Sequence, residues 1–258
     1  GLNGLVLDVK VGAGAFLPEE HDALDLAQTM VDIGTGRGLH TVALLTAMDR
    51  PLGCAIGNAL ETAEAISCLK GEGPADLRAI VRLQAVEMLR LAEPAISEPA
   101  ALSRVDAALD SGAALERLVR LVEAQSGDAS VVDSPARLMT SEHTLDVVAE
   151  RVGTVVQVLP RVLGEGVIVL GGGRTHMDQK PDLSVGFQMH VRPGDDVSVG
   201  DRLATVHARD TEGSRAGEGI VRRAVVVGDS GEAAELRPLI SHRVDERGTV
   251  SDCRFEEP

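Results

Sequence analysis

The sequence has almost no aromatic residues: they make up 1% of its 258 residues, and tryptophan and tyrosine are absent. Its core must therefore be built mainly from leucine, valine, alanine and isoleucine. Proteins that bind single-stranded nucleic acid stack bases on aromatic rings, so this composition argues against that class. The hydrophobic share of 44% is that of a globular chain rather than a disordered one.

Positive charge is also scarce, since the formal net charge is -15 and the isoelectric point is about 4.8. An acidic surface disfavours nucleic acid and anionic membranes as partners. It still permits a local phosphate site, because helix N-termini bind phosphate. No apolar run reaches about 18 residues, so no membrane span is expected, and no signal peptide is recognised.

Cysteines are few, and Cys54, Cys68 and Cys253 show no metal-ligand spacing. Their odd number leaves one unpaired, which is typical of a reducing compartment and predicts a cytoplasmic protein. The seven histidines show no metal spacing either, and scattered residues reveal no Ser/His/Asp triad. The residues alone therefore assign no catalytic side chain.

The first half of the chain reads as alternating strands and helices. Residues 5–11 and 39–46 are short apolar runs typical of strands buried on both faces, and residues 18–33 between them carry a helical apolar stripe that ends at Gly34. This order predicts a βαβ unit with parallel strands. Helices are predicted over three further stretches, with Asn58 as the N-cap of the first: 58–69, 74–91 and 98–125.

The pattern changes near Ser141, where short β-branched runs begin to alternate with glycine, proline and aspartate. Residues 191–207 resemble half of a biotinyl/lipoyl-type barrel-sandwich, with Pro-Gly-Asp and Gly-Asp forming tight turns. They lack a lysine flanked by hydrophobic residues that would carry such a group, so no organic cofactor is expected. Five strands are predicted in this half: 154–159, 166–170, 184–191, 202–207 and 222–227.

Two glycine-rich runs are interpreted as turns. Gly34-Thr-Gly-Arg-Gly38 follows a predicted helix and precedes a strand, which is the reverse of the order in a dinucleotide-binding fingerprint. Gly171-Gly-Gly-Arg174 has no predicted helix after it to hold a phosphate. Neither run is therefore taken as a binding site.

Two other stretches are candidates for sites. Asp8-Val-Lys10-Val-Gly-Ala-Gly-Ala-Phe16 continues the first predicted strand into a glycine-rich turn, and ligands of open α/β sheets bind beyond the carboxyl ends of strands. Pro51-Leu-Gly-Cys-Ala-Ile-Gly-Asn-Ala-Leu-Glu-Thr-Ala-Glu64 places loop carbonyls and a helix carboxylate near one another, and such oxygen atoms suit a hard cation. Spacing alone does not distinguish this second stretch from an ordinary loop and a solvated helix face.

Together, these two stretches resemble signature segments of the pyrimidine-nucleoside and thymidine phosphorylases. The first matches the family pattern Asp-Val-Lys-x-Gly-x-Gly-Ala-Phe, and the second matches Pro-Leu-Gly-x-Ala-x-Gly-Asn-Ala-Leu-Glu-x-x-Glu. The resemblance implies that Phe16 lines the pyrimidine pocket. It also implies that the carbonyls of Leu52 and Ala55 and the carboxylate of Glu64 bind a monovalent cation, potassium above all. It gives Asp8 and Lys10 no catalytic role.

The resemblance further implies an α/β fold: the later part of a parallel-sheet phosphorylase domain, followed by a smaller C-terminal α/β domain with a barrel-sandwich-like sheet. The expected boundaries are 1–105 for the α/β domain, 106–145 for a helical connection and 146–258 for the C-terminal domain with a polar tail. That tail, after about residue 232, is expected to be loosely ordered.

The implied reaction is phosphorolysis, in which a pyrimidine nucleoside (uridine, thymidine or deoxyuridine) and phosphate give the free base and pentose 1-phosphate. The intact protein would be a homodimer, with the nucleoside and phosphate as its substrates. The family holds phosphate with a Lys-His-Ser-Thr-Gly-Gly-type loop and the base with an Arg and a Ser-x-x-x-Lys pair, all of which are expected upstream of Gly1. None has a counterpart in this sequence. We therefore expect this chain alone to be inactive.

Two alternatives remain open at this point. The chain could be a non-catalytic fragment that acts as an assembly partner of a separate N-terminal half. It could also be related to anthranilate phosphoribosyltransferase, although the expected pyrophosphate loops are absent and the barrel-sandwich segment argues against it. The chain opens on glycine rather than methionine, which fits a processed, tagged or cut product, and the sequence does not choose among these.

Overall fold

The computed structural model describes residues 1–138, 141–232 and 236–251, and it shows a mixed α/β chain divided into two compact units. The first unit comprises Gly1–Asp49, Cys68–Glu116 and Arg237–Pro258, and the second comprises Arg50–Ser67 and Arg117–Leu236. In the part of the chain that is described, no helix is both long enough and apolar enough to cross a bilayer.

The first unit is built on the predicted βαβ element. Strand β1 (Gly4–Val11) runs parallel to β2 (His40–Ala47), and helix α1 (Glu20–Gly36) connects them. Seven of the eight residues of β2 are buried, as expected for a strand covered on both faces. The predicted βαβ element is confirmed, although α1 continues two residues beyond Gly34.

The predicted helices of the first half are also confirmed. Helix α3 (Ala75–Ala92) packs against α4 (Glu98–Asp110) through an apolar cluster that includes Val86, Ala101, Val105 and Leu109. The Ser97 side chain caps α4 by accepting a hydrogen bond from the Ala100 backbone amide at 3.4 Å. The bounds are α2 (Asn58–Leu69), α3 (Ala75–Ala92), α4 (Glu98–Asp110), α5 (Ala113–Ala124) and the short α6 (Ser130–Asp133), followed by a 3-10 turn at Pro135–Leu138.

The chain returns to the first unit near its end. Strand β10 (Ile240–Asp245) pairs antiparallel with β2 and with β11 (Gly248–Ser251), so the sheet order is β1-β2-β10-β11. The expectation of a loosely ordered tail is therefore wrong for residues 240–251. The polar composition of this segment suggested loose order. Arg243, however, is not simply solvated, because it binds the buried carboxylate of Glu87 on α3.

The second unit is built mainly of short strands, with most of α2 and α5, all of α6 and two further helices. The new elements are β3 (Ala55–Ile56), β4 (His143–Val148), β5 (Gly153–Val158), α7 (Pro160–Val169), β6 (Gly186–Met189), β7 (Asp196–Val197), β8 (Arg202–Ala208), α8 (Thr211–Ala224) and β9 (Val225–Val227). The strands form one sheet of order β3-β6-β8-β4 and another of order β7-β5-β9, and a cluster containing Val155, Leu163, Val185 and Phe187 forms the core.

The tight turns predicted within residues 191–207 are present and share one design. Asp195 accepts a hydrogen bond from the Arg192 backbone amide at 2.7 Å, and Asp201 accepts one from the Ser198 amide at 2.8 Å. Each aspartate thus closes a four-residue turn that also contains a glycine. This is the local reason why Pro-Gly-Asp and Gly-Asp recur at these places.

Two of the predicted strands are wrong. Residues 166–170 lie at the end of helix α7, and residues 222–224 belong to helix α8, so that only Val225–Val227 is strand. A short apolar run does not distinguish a buried helix from a strand. The signal for a helix was Pro160, since proline is favoured at the first position of a helix and α7 begins there.

The pairing of β3 with β6 depends on a glycine. Gly186 has a φ of +154°, and a Cβ placed there would lie 2.1 Å from the Ile56 carbonyl oxygen. We therefore expect Gly186→Ala to lower the free energy of unfolding by about 1–3 kcal/mol, as overpacking does, in urea titrations followed by circular dichroism. Gly164→Ala on exposed α7, where a Cβ meets nothing within 4 Å, is the control and should be neutral or stabilising. Equal losses in both variants would contradict this account.

Candidate functional site

The turn after β1 is a compact glycine-rich loop. The Gly14 amide donates to the Met48 carbonyl at 2.7 Å, and the Ala15 amide donates to the Gly12 carbonyl at 2.9 Å. Gly12 has a φ of +115°, and a Cβ there would lie 2.8 Å from the Asp49 amide nitrogen. The backbone at the carboxyl end of β1 is thus folded tightly against the end of β2, which only glycine allows at this position.

This loop presents Phe16 to the outside, because the Phe16 residue is 99% exposed. Phe16 was predicted to line a pocket, and within the described part of the first unit no residue covers it. A phenylalanine on the surface contributes nothing to the core, so Phe16 is available for a ligand or for another part of the protein. Whether it lines a pyrimidine pocket stays a prediction.

Under the loop lies a polar network that sequence reasoning missed in part. Lys10 Nζ donates to Asp8 Oδ2 and to Thr46 Oγ1, both at 2.9 Å, and Gln84 Nε2 donates to Asp8 Oδ2 at 2.6 Å. Thr46 is fully buried and its hydroxyl donates to Asp8 Oδ1. The network joins β1, β2 and α3 through the side chains of Asp8 and Lys10.

In the second unit, the structure brings Glu64 onto the loop that contains Leu52 and Ala55. Glu64 Oε1 accepts hydrogen bonds from the backbone amides of Cys54 at 2.8 Å and Ala55 at 3.1 Å. The carboxylate of Glu64 therefore lies against the backbone of the predicted loop. The donor set, a carboxylate with nearby carbonyls, suits a hard cation.

The start of α2 next to this loop differs from the predicted cap. Asn58 is the first residue of α2 rather than the residue before it, and its Nδ2 donates to the Gly172 carbonyl at 3.0 Å. Glu61 instead reaches back to the Gly57 amide at 3.0 Å, one residue earlier than expected. Asn58 therefore fastens the α2 N-terminus to the glycine run after α7, which the sequence could not indicate because 114 residues separate the two partners.

Of the two glycine runs interpreted as turns, the first is only partly one. Residues 34–36 still belong to α1, where the Gly34 carbonyl accepts from the Arg37 amide at 3.0 Å, and the chain leaves the helix only at Arg37. Gly171 has a φ of +97° and lies just beyond the end of α7. The backbone amide of Asp182 donates a hydrogen bond to the Gly171 carbonyl at 2.8 Å. Hydrogen bonds from Ser184 keep the pKa of the Asp182 carboxyl below its usual value, against the effect of burial.

His190, Thr205 and Asp146 form a chain of polar contacts on the surface of the β4–β8–β6 sheet. His190 Nε2 lies 2.8 Å from Thr205 Oγ1, whose hydroxyl donates to Asp146 Oδ1 at 2.6 Å. Because that hydroxyl proton points to the carboxylate, Thr205 Oγ1 faces His190 as an acceptor. Burial, helped by the Arg202 charge, lowers the pKa of His190, so it is the neutral ring that occupies this position near pH 7.

Within residues 1–138, 141–232 and 236–251, no three histidine, cysteine, aspartate or glutamate side chains are arranged to hold a metal ion. The site predicted at Leu52 and Ala55 is of a different kind, because its ligands there are backbone carbonyls. Cys54 and Cys68 are free thiols, Cys68 being buried, and Cys253 lies outside the described residues.

Comparisons with known proteins find matching families and relatives for this chain. Residues 1–115 match the family described as "Glycosyl transferase family, a/b domain", and residues 154–225 match "Pyrimidine nucleoside phosphorylase C-terminal domain". The chain is 40% identical over 208 residues to the pyrimidine-nucleoside phosphorylase of Bacillus subtilis, covering 81% of this chain and 48% of the relative. It is 42% identical over 247 residues to a thymidine phosphorylase of Burkholderia cenocepacia, covering 95% of this chain and 56% of the relative. The chain thus spans about half the length of the curated relatives it matches.

Proposed function

Because the chain belongs to the family of the pyrimidine-nucleoside and thymidine phosphorylases, we propose that the intact protein catalyses phosphorolysis of pyrimidine nucleosides. The observation that carries the proposal is the identity of about 40% over most of this chain, which includes both candidate sites. The proposed substrates are phosphate and uridine, thymidine or deoxyuridine. The enzyme is then a pentosyltransferase, as the names of the relatives indicate for those proteins.

In phosphorolysis, a phosphate oxygen forms a bond to the anomeric carbon of the pentose while the glycosidic bond to the base breaks. The pair of electrons leaves with the base, which takes up a proton, and the pentose keeps the phosphate as its 1-phosphate. The positive charge that develops on the sugar requires a well-placed phosphate and exclusion of water. An exposed apolar ring such as Phe16 is suited to covering one face of the pyrimidine.

We further propose that Glu64 and the carbonyls of Leu52 and Ala55 hold a monovalent cation in the intact protein. Support comes from the contact of Glu64 with the Cys54 and Ala55 amides, which places the carboxylate on the predicted loop. A bound cation would neutralise the carboxylate and fix the loop. Potassium as that cation, the homodimer, the cytoplasmic location and the domain boundaries rest on the resemblance and stay predictions.

This chain alone is proposed to be inactive. Its 258 residues contain no Lys-His-Ser-Thr-Gly-Gly-type phosphate loop, and it covers only 48% of the Bacillus subtilis relative. The phosphate-binding part would then be supplied by the remaining half of the enzyme. We define the companion half as the part of the Bacillus subtilis enzyme that lies outside the matched 208 residues, which the resemblance implies to carry the phosphate loop.

Product analysis tests the reaction. A chimera that joins the companion half to the start of this chain is expected to convert uridine and inorganic phosphate into uracil and ribose 1-phosphate, seen by phosphorus NMR. Replacing phosphate by sulfate controls for hydrolysis. Uracil release that continues without phosphate, or with ribose rather than ribose 1-phosphate as the product, would refute phosphorolysis.

Phe16 offers a separate prediction for the nucleoside site. In the chimera, Phe16→Ala is expected to raise the KM for uridine by about tenfold or more, since covering an aromatic ring is worth about 1.5–3 kcal/mol. The fold should be unaffected because the Phe16 residue is 99% exposed in this chain. Ile33→Ala, which removes another exposed apolar side chain of the first unit (63%), is the matched control. Equal KM values for the two variants would remove Phe16 from the site.

A further inference from the structure

The loop that contains Ala55 is fastened to strand β6 on one side. Strand β3 (Ala55–Ile56) pairs antiparallel with β6, and the Cys54 carbonyl just before it accepts a hydrogen bond from the Met189 amide at 2.7 Å. The Ile56 carbonyl oxygen lies against Gly186, so closely that a Cβ there would be 2.1 Å away from it. The carbonyls of Cys54 and Ile56 therefore both face β6.

This pairing decides where the Ala55 carbonyl lies. The Cys54 carbonyl and the Ala55 amide belong to one planar trans peptide and point in opposite directions, the carbonyl to β6 and the amide to Glu64 Oε1 at 3.1 Å. In an extended strand, the amide and the carbonyl of one residue lie on the same side. The Ala55 carbonyl therefore faces away from β6, on the side of Glu64, and a slip of the pairing by one residue would reverse this.

The carboxylate of the proposed site is carried by helix α2, and the start of this helix is fastened to a different part of the same unit. Asn58, the first residue of α2, donates through Nδ2 to the Gly172 carbonyl at 3.0 Å. The next residue, Ala59, donates its backbone amide to the Leu183 carbonyl at 2.9 Å. Glu64 lies in the second turn of this helix, so a shift of the α2 N-terminus would move its carboxylate away from the loop.

The Asn58 contact differs from the other contacts of this segment because a side chain makes it. The contacts of Cys54 and Ala59 are backbone hydrogen bonds, which most residues at these positions would make. The contact of Asn58 requires a side-chain donor, and it joins residues that are 114 positions apart in the sequence. Since Gly172 is buried, removing this donor disturbs the junction rather than exchanging it for water.

We propose that Asn58 is a positioning residue of the candidate cation site. Through the Gly172 carbonyl it holds α2, and with it Glu64, against the loop whose Ala55 carbonyl is directed to the same side by strand β6. The second unit thus sets the cation affinity by keeping the ligand groups in register, while Asn58 itself is not a ligand. This inference rests on the proposed function and on the cation proposed with it.

Amide hydrogen exchange of residues 52–57, followed by mass spectrometry, tests the proposal without relying on activity. In the chimera, exchange of these amides is expected to be slower in potassium than in choline at the same ionic strength, because a bound cation fixes the loop. The potassium concentration that gives half of this protection is the apparent affinity. In this chain alone, Asn58→Leu should already speed exchange of residues 52–57, since the loss of the contact loosens the loop whether or not a cation is bound.

Three substitutions on α2 separate positioning from the stability of the helix. Asn58→Leu keeps the approximate size of the side chain without its donor, and it should raise the potassium concentration for half protection by about tenfold, as for other residues that orient metal ligands. Asn58→Gln keeps a side-chain amide and should restore affinity. Thr62→Val removes a hydroxyl that donates to the Asn58 carbonyl at 2.8 Å within the helix, and it should leave the potassium dependence unchanged.

Steady-state kinetics of the chimera distinguish positioning from a general loss of structure. At saturating potassium, Asn58→Leu should have the KM for uridine of the unmodified chimera, whereas a misfolded enzyme would lose activity at every potassium concentration. Thermal unfolding verifies that each variant folds. Asn58→Ala, which adds no apolar bulk, is the second variant and should shift the potassium dependence in the same direction.

The outcomes separate this proposal from the proposed function. Unchanged exchange of residues 52–57 in the Asn58 variants, or an equal shift in Thr62→Val, would overturn the positioning role. Phosphate-dependent uracil release by an unmodified chimera whose loop does not respond to potassium would also overturn it and leave phosphorolysis standing. A potassium response that depends on Asn58, in a chimera that releases no uracil, would support the positioning role and count against phosphorolysis.

Discussion

Glu87→Ala is expected to lower the free energy of unfolding of the first unit by about 3–5 kcal/mol, the usual effect of removing one partner of a buried ion pair. Glu87 is only 3% exposed, and both of its carboxylate oxygens accept hydrogen bonds from Arg243, each at 3.0 Å. Arg90 adds a third at 3.1 Å. The substitution would leave the half-buried guanidinium of Arg243 beside α3 without its main acceptor.

The electrostatics of this pair explain the size of the effect. Burial alone would lower the pKa of Arg243, but its hydrogen bonds to Glu87 and Asp245 outweigh burial and raise its pKa above the ordinary value. The positive charge is therefore maintained at every pH of interest and must be compensated. Because Arg243 lies on β10, the loss of Glu87 should release the C-terminal hairpin first, and exchange of the β10 amides should report this.

The matched control is Glu93→Ala, which removes an exposed glutamate bound to Arg104 at 2.7 Å in the same unit. Exposed ion pairs contribute about 0–1 kcal/mol. Urea unfolding followed by circular dichroism compares the two variants, since the chain has no tryptophan or tyrosine to serve as a fluorescent probe. A loss for Glu87→Ala as small as that for Glu93→Ala would show that the hairpin does not depend on this pair.

Glu64→Gln is expected to abolish potassium stimulation of phosphorolysis in the chimera while leaving the loop folded. The amide oxygen of glutamine can still accept hydrogen bonds from the Cys54 and Ala55 amides, whereas the negative charge that attracts the cation is gone. We expect the apparent affinity for potassium to fall by at least about tenfold, as for changes at metal sites generally. Initial rates at several potassium concentrations, with choline keeping the ionic strength constant, give this affinity.

Two further variants separate the cation from the fold. Glu64→Ala leaves both loop amides without their acceptor and should in addition lower stability by about 1–3 kcal/mol. Glu61→Gln changes a glutamate on the same helix that accepts from the Gly57 amide, and it should keep the potassium response. A Glu64→Gln enzyme with an unchanged potassium dependence would show that this loop is not the cation site.

The elements that the sequence predicted well are those decided by local patterns. The strand–helix–strand order of β1, α1 and β2 follows from apolar runs and glycine stops, because a strand buried on both faces has a distinctive sequence. Helix α7 was missed because its apolar run fits a strand as well as a buried helix. Helix α8 was missed because its polar end at Arg222 is followed directly by strand β9. In both cases packing in the second unit decides between the alternatives.

The long-range contacts could not be predicted. Strand β10 pairs with β2 across about 200 residues, and its Arg243 finds Glu87 far earlier in the chain. At the candidate sites, the motifs identified Phe16 and Glu64 through resemblance, yet neither the exposure of Phe16 nor the amide contacts of Glu64 follow from spacing. Thr46 looked like an ordinary strand residue, and its hydroxyl proved to join Asp8 and Lys10.

Release of uracil from uridine by this purified chain and by the chimera, each with and without phosphate, shows whether the chain holds a complete site. We expect no release by the chain alone under any condition and phosphate-dependent release by the chimera. Phosphate-dependent release by the chain alone would refute the proposal, because the 258 residues would then hold a complete phosphate site.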